Sequence, residues 1–202
     1  MKVFDIKEVT RLLQSRRSIY PNMYSGEVID EKIIGAILEN ANWAPTHALT
    51  EPWRFTVFSG QGLKKLADFQ SDLYRQVTTK NGTYDEAKFQ KLASKPLLAS
   101  HIISIGMKRS ENERIPEVEE IAAVSCAVQN MYLTATACGV GCYWGSGGVT
   151  YWEEAKLFFG LGKKTNCSVF YIWACPKPNG PKAKENLSMI KLGGWRDQLR
   201  RH

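Results

Sequence analysis

Apolar residues recur at helical spacing from the start of the chain. Ile6, Val9, Leu12 and Leu13 share one helical face up to about Ser15, and Asp5 followed by Glu8 has the form of a capping box. A second helix is expected after Asp30, a capping residue, with Ile33, Ile34, Ile37, Leu38 and Ala41 at three- and four-residue steps. It must end before Pro45, because proline disfavours helical geometry in the residue before it. Pro52 to Ser59, carrying Trp53, Phe55, Val57 and Phe58, reads as a strand closed by Gly60 and Gly62. A polar helical region from about Leu63 to Ala93 follows, with Ser71 to Ala87 treated as a loop that shapes the pocket. Leu97 to Met107 is apolar enough for a central strand.

Pro116 suits a first helical position, and Glu117, Glu119 and Glu120 favour the positive end of the helix dipole. The long helix that starts there runs to Gly139. It is apolar nearly all round, but Ser125, Gln129, Asn130, Thr134 and Thr136 interrupt it, which suits a buried or dimer-interface helix and not a lipid-facing span. A short helix from Tyr151 to Phe159 and a strand from Cys167 to Cys175, ended by Pro176, complete the pattern. Helices and strands in this mixture point to an α+β layered fold.

A chain of 202 residues with 44% hydrophobic and 23% charged residues matches one ordinary globular domain spanning 1–202. The first residues lack the apolar run of a signal peptide, which places the protein in the cytoplasm. Five cysteines without a C-x-x-C pair read as buried reduced thiols, and His47, His101 and His202 lie at no metal-ligand spacing, so no metal is expected. The net charge is +7, and Lys177 to Arg201 holds seven Lys or Arg against two acids. That tail could meet nucleic acid, membrane or nucleotide phosphates, but no nucleic-acid motif and no interleaved aromatics accompany it. Neither nucleic acid nor a membrane is expected as a partner.

Three features carry candidate chemistry. Arg16-Arg17-Ser18 ends a helix with two guanidinium groups and a hydroxyl, a set able to grip phosphate through charge-assisted bonds. Favourable cations at a helix C-terminus explain the arginines equally well. Trp43-Ala44-Pro45-Thr46-His47, with Glu51-Pro52-Trp53-Arg54-Phe55 after it, sets an aromatic and a histidine on a proline-fixed turn; an ordinary structural turn is the plainer account. Gly139 to Gly148, GVGCYWGSGG, lacks the order of a dinucleotide fingerprint or a Walker loop. Its glycines still allow backbone N–H groups to approach a ligand closely, although a packing bend needs them too.

Together and in this order, the R-R-S helix end, W-A-P-T-H with E-P-W-R-F, the long apolar helix and G-V-G-C-Y-W-G-S-G resemble the nitroreductase family of FMN proteins, especially its short-chain, YdjA-like branch. The resemblance implies a mixed, mainly antiparallel sheet flanked by helices, a homodimer, and a C-terminal segment extending onto the partner subunit. It implies that Arg16, Arg17 and Ser18 contact the FMN phosphate and the polar edge of the ring, and that Trp144, Gly145 and Ser146 line the same flavin. Trp43 and His47 would reach it from the other subunit, and Lys184, or Lys182, would meet the phosphate. The expected activity is reduction of a small electrophile, such as a nitroaromatic or quinone, with NAD(P)H as donor, the cofactor performing the redox chemistry without a side-chain nucleophile. Positive charge from Arg16 or Arg17 near the ring would favour hydride acceptance. Reductive dehalogenation or a flavin-consuming reaction on the same fold is the alternative, and a cofactor-free basic scaffold is a lower one.

Overall fold

The computed structural model describes residues 3–110 and 114–162, and the backbone of 170–176. Helix α1 (Ile6–Ser15) is capped by Asp5, which accepts from the Lys7 amide at 2.9 Å. The expected capping box does not form: Asp5 caps the second helical amide, not that of Glu8, and the Glu8 side chain turns to Arg11 at 2.5 Å. None of the α1 residues is buried. Asp30 caps α2 (Glu31–Ala41) in the same way, and Ile34, Ile37 and Ala41 are buried on one face.

Strand β1 (Trp53–Ser59) is followed by two helices, α3 (Gln61–Lys80) and α4 (Glu86–Ser94). The break lies at Asn81–Asp85, where Gly82 takes φ +67°. Residues 71–80 are helical, as expected of the region from Leu63 to Ala93, and do not form part of a loop. The buried run Leu63, Leu66, Ala67, Gln70, Ser71, Tyr74 and Thr78 shows why: polar and apolar side chains together form one buried stripe. Strand β2 (His101–Met107) is buried throughout, whereas Leu97 and Leu98, expected inside it, lie exposed in a 3-10 turn over Lys95–Leu98. Pro96 at the start of that turn removes a ladder donor.

Helix α5 (Glu117–Ala137) matches the long apolar segment. It is followed by β3 (Val140–Gly145), a strand inside the glycine-rich stretch that periodicity does not reveal. The expected helix at 151–159 is a 3-10 turn over Glu153–Phe159. Strand β4 (Phe170–Pro176) includes the proline expected to end it, since Pro176 still pairs with Val140. The sheet order is β1-β2-β4-β3, with all three pairings antiparallel. One parallel bridge, Ser18 to Cys142, supplies the mixed character.

Two apolar clusters cover the sheet. One gathers α2, α5 and inward residues of β1 to β3, among them Ile37, Ile103, Ile105, Ala127, Met131 and Cys142. The other lies under α3 and the 153–159 turn, with Phe58, Leu66, Tyr74, Ile102 and Phe159. On the outer face of α5, Val118 and Ile121 are 70% and 50% exposed. Cys142 is buried, but Cys126 and Cys138 are exposed, which corrects the expectation of buried thiols: α5 presents the first outward, and its C-cap the second. Cys167, Lys182, Lys184, the basic tail and any segment extending onto a partner lie outside the described residues.

Candidate active site

After α1 the chain turns extended at Arg16, with φ −66° and ψ 126°. It then runs along the free edge of β3, where the Ile19 amide donates to the Cys142 carbonyl at 2.9 Å and Ser18 bridges the same residue. Gly141 permits this approach, because a Cβ there would stand 3.1–3.2 Å from three atoms of the Ile19 side chain. Arg16-Arg17-Ser18 is thereby set beside the glycine-rich segment, 120 residues distant in sequence.

On the α5 side of this edge the Arg16 guanidinium lies over the Tyr132 ring, 5.6 Å from its centroid. Arg17 Nη1 donates to the Arg16 carbonyl at 2.5 Å, and the Ser18 residue is exposed. The Tyr132 hydroxyl is buried and faces the Ser18 side chain and the Trp144 backbone without full hydrogen-bond geometry to either. Burial, reinforced by Cys142, pushes its phenol up from the ordinary value of 10.

On the other side, Tyr143 packs on Tyr20 with ring centroids 4.8 Å apart, and Lys95 Nζ sits 5.1 Å from the Tyr143 ring centre. Beyond β3 the chain turns through Gly147 and Gly148, at φ +105° and +62°. Thr150 Oγ1 closes the turn by accepting from the Gly147 amide, at 2.9 Å. A Cβ on Gly148 would stand 2.9 Å from a Leu92 methyl, so the turn lies directly against α4. Between them is a cavity of about 560 Å³, lined by Gly145 to Gly148, Tyr143, Asp85, Lys88, Lys91 and Lys95. That size is within the range of small-ligand sites, ~300–1,000 Å³. Burial, and then repulsion from Lys91, lowers the Lys95 pKa below its ordinary value.

Gly145 and Ser146 thus line a cavity, and Trp144, just before them, is not part of its lining. Arg16, Arg17 and Ser18 are not part of its lining; they lie along β3, joined to it through Tyr20 and Tyr143. The cavity lysines escape sequence reading because Lys88, Lys91 and Lys95 at helical spacing look like an ordinary solvated face. Tyr132 escapes it as one more apolar residue of a long helix.

His47 does not join this group within the chain, and among the described residues Trp43 makes no hydrogen bond or ring contact with it, although Asn40 just before it donates to Thr134 of α5. Trp43 is 77% exposed, and His47 Nδ1 pairs with Glu119 Oε2 at 2.5 Å in the first turn of α5. Glu119 and Tyr132 are thirteen residues apart on that helix, or about 20 Å at 1.5 Å per residue. The turn after His47 places Ala48, Leu49 and Glu51 at positive φ, a conformation that costs non-glycine residues free energy.

Among the described residues no cluster of His, Cys, Asp or Glu could hold a metal, and no helix is long and apolar enough to cross a membrane. The profile of the Nitroreductase family matches residues 13–161. YfhC of Bacillus subtilis (strain 168), provisionally named an NAD(P)H nitroreductase, is 31% identical over 155 residues, 74% of this chain and 75% of that protein. YdjA of Escherichia coli (strain K12), named in the same way, is 30% identical over 141 residues, 70% of this chain and 74% of its own. The crystal structure of a nitroreductase-like family protein from Bacillus cereus superposes with a TM-score of 0.73 at 22% identity, covering 96% of this chain and 100% of the other. A nitroreductase with bound FMN from Bacteroides fragilis NCTC 9343 gives 0.64 at 21% identity, covering 93% and 96%. With helices on both faces of a small antiparallel sheet and a glycine turn beside the helix end that carries the paired arginines, the chain belongs to the nitroreductase family.

Proposed function

We propose that this protein is a homodimeric oxidoreductase that holds FMN and uses NAD(P)H to reduce a small electron acceptor, such as a nitroaromatic or a quinone. The rung formed by Ser18 and Cys142 carries this reading, because it brings an anion-binding set and a backbone-exposing turn to one sheet edge. The residues present fit the cofactor: two guanidinium groups and a hydroxyl suit a phosphate, and the glycine turn opposite Lys95 offers main-chain and cationic donors to a polar ring edge. The buried Tyr132 hydroxyl beside Ser18 is a further group able to serve a ligand there.

Bound FMN would supply hydride acceptance and donation, which no side chain of this chain provides. Arg16, held over Tyr132, and Arg17, whose guanidinium is tied to the backbone, are restrained before ligand arrives. Lys95, positioned over Tyr143, brings a cationic donor to the cavity, where it would face the polar edge of a bound flavin ring. Gly145 and Ser146 shape a wall against which a bound ring would lie.

Dimerisation is supported by the exposed apolar residues of α1 and by Val118 and Ile121 on α5. His47, separated from Arg16 along α5, would serve a flavin site across a subunit boundary, and we assign the exposed Trp43 the same role. The test is spectroscopic: purified protein, reconstituted with FMN, is expected to be yellow, to hold one FMN per subunit, to sediment as a dimer and to bleach on anaerobic addition of NAD(P)H. A monomer that binds no FMN refutes the reading.

A further inference from the structure

We propose that the acceptor reduced at this site carries an anionic group, a carboxylate or comparable oxyanion, which Lys88 and Lys91 receive; this deepens the function proposed above and rests on it. Lys88, Lys91 and Lys95 project from one face of α4 and its C-cap into the cavity, at spacings of three and four residues. Like charges so spaced repel and weaken a helix. Elsewhere on this side of the fold such charges are matched: Lys64 pairs with Asp68, and Arg75 with Asp72. Among the described residues, neither Lys88 nor Lys91 has an acid within salt-bridge distance. The acid that lines the cavity, Asp85, is engaged as the cap of α4, accepting from the Lys88 amide at 2.8 Å. Lys88 Nζ lies over Tyr74, 5.2 Å from its ring centre, which steadies the cation without neutralising it. The excess of positive charge is felt inside the site, since Lys91 already lowers the affinity of Lys95 for its proton.

An anion in the cavity relieves this repulsion, and Tyr143, which lines the same cavity, sets an aromatic side chain beside it. NAD(P)H is a weaker match for the same lysines. The reacting end of its nicotinamide bears a neutral carboxamide, and its phosphates lie a ribose away from the ring. A compact acceptor places its charge within reach of α4 while its reducible group faces the glycine turn.

The test uses the FMN-loaded dimer and two acceptors of equal size, 4-nitrobenzoate and 4-nitrotoluene. The ratio of their kcat/KM values is expected to favour the carboxylate, and to fall about three- to tenfold in a Lys88→Gln, Lys91→Gln double variant, the effect of two solvent-exposed charges. Lys91→Glu should reverse the preference, and Lys91→Arg should retain it. Independently of turnover, benzoate is expected to perturb the visible spectrum of the oxidised protein where benzamide does not, and calorimetry should detect benzoate binding in flavin-free protein. A parent enzyme that reduces both acceptors with equal kcat/KM, or a ratio unchanged in the double variant, overturns the inference while leaving the proposed function standing. A double variant whose KM rises for NAD(P)H and not for 4-nitrobenzoate also overturns it, assigning the lysines to the donor's phosphates. Failure to bind FMN refutes the proposed function instead, and absence of benzoate binding in the flavin-free protein then refutes the anion site as well.

Discussion

Replacing Gly141 by alanine should injure stability and cofactor binding together. The added methyl would meet Ile19 Cβ, Cγ1 and Cγ2 at 3.1–3.2 Å, a few tenths of an ångström inside ordinary contact. Ile19 cannot swing aside: its Cβ is fixed to the backbone, its side chain is buried, and its amide is hydrogen-bonded to Cys142. Overpacking of this kind costs about 1–3 kcal/mol. For a chain of this size that lowers Tm by about 2–12 °C. The backbone at 18–19 must move away from β3, carrying Arg16 and Arg17 with it, so the FMN Kd should rise about tenfold, equivalent to ~1.4 kcal/mol. Gly106→Ala is the control, because its Cβ would strike Leu161 at 2.7–2.9 Å, in the other apolar cluster. It should lower Tm to a similar degree and leave the FMN Kd within about twofold. Thermal denaturation and fluorescence titration with FMN measure both quantities. If Gly141→Ala binds FMN as tightly as the parent, or if both variants weaken it equally, the rung between Ser18 and Cys142 does not position the phosphate group.

Neutral substitution of both Arg16 and Arg17 should weaken FMN binding by about 10²- to 10⁴-fold, given ~1.5–3 kcal/mol for each of two lost charged hydrogen bonds; equilibrium dialysis with unchanged affinity would exclude them as phosphate ligands. His47→Ala should cost at most ~1 kcal/mol of stability in urea, since its pairing with Glu119 is exposed, yet weaken FMN binding if the residue serves the neighbouring subunit. Glu120 is buried and accepts from Arg109 Nε at 2.8 Å and the Ser110 amide at 2.9 Å, so Glu120→Ala should cost about 1–3 kcal/mol in chemical denaturation by removing the acceptor of both, with Glu117 left 4.0 Å from Arg109. Folding raises the Tyr132 pKa, so its contribution is intact below the ordinary value of 10 and is lost as pH climbs from there toward the folded value. Unfolding free energy should therefore fall by up to about 1.4 kcal/mol per pH unit above that point, a slope that Tyr132→Phe removes.

Much of the architecture was legible from local pattern. Asp5 and Asp30 before apolar repeats mark helix starts, because a side-chain oxygen satisfies a free amide wherever that order occurs. The β1 and α5 segments declare themselves by composition over many residues. Reading failed where the deciding partner is distant. Residues 71–80 look polar, yet Gln70, Ser71 and Thr78 are buried and hydrogen-bonded, which no period of apolar residues can signal. β3 is hidden among glycines because its pairing with β4 defines it, and Leu97 and Leu98 leave β2 because Pro96 and the turn around it set the strand's start.

What the order of residues determined on its own was α1 and α2 with their aspartate caps, α5, the α+β class and the identity of the paired arginines and the glycine turn, all properties of short range. What only the tertiary structure decided was adjacency. The rung on β3 gathers Arg16, Tyr132 and the glycine segment, and α4 supplies the lysine-lined cavity, while His47 is held about 20 Å away along α5. Such adjacency depends on which buried faces pack together, and packing is settled by the summed burial of distant segments, not by any one of them.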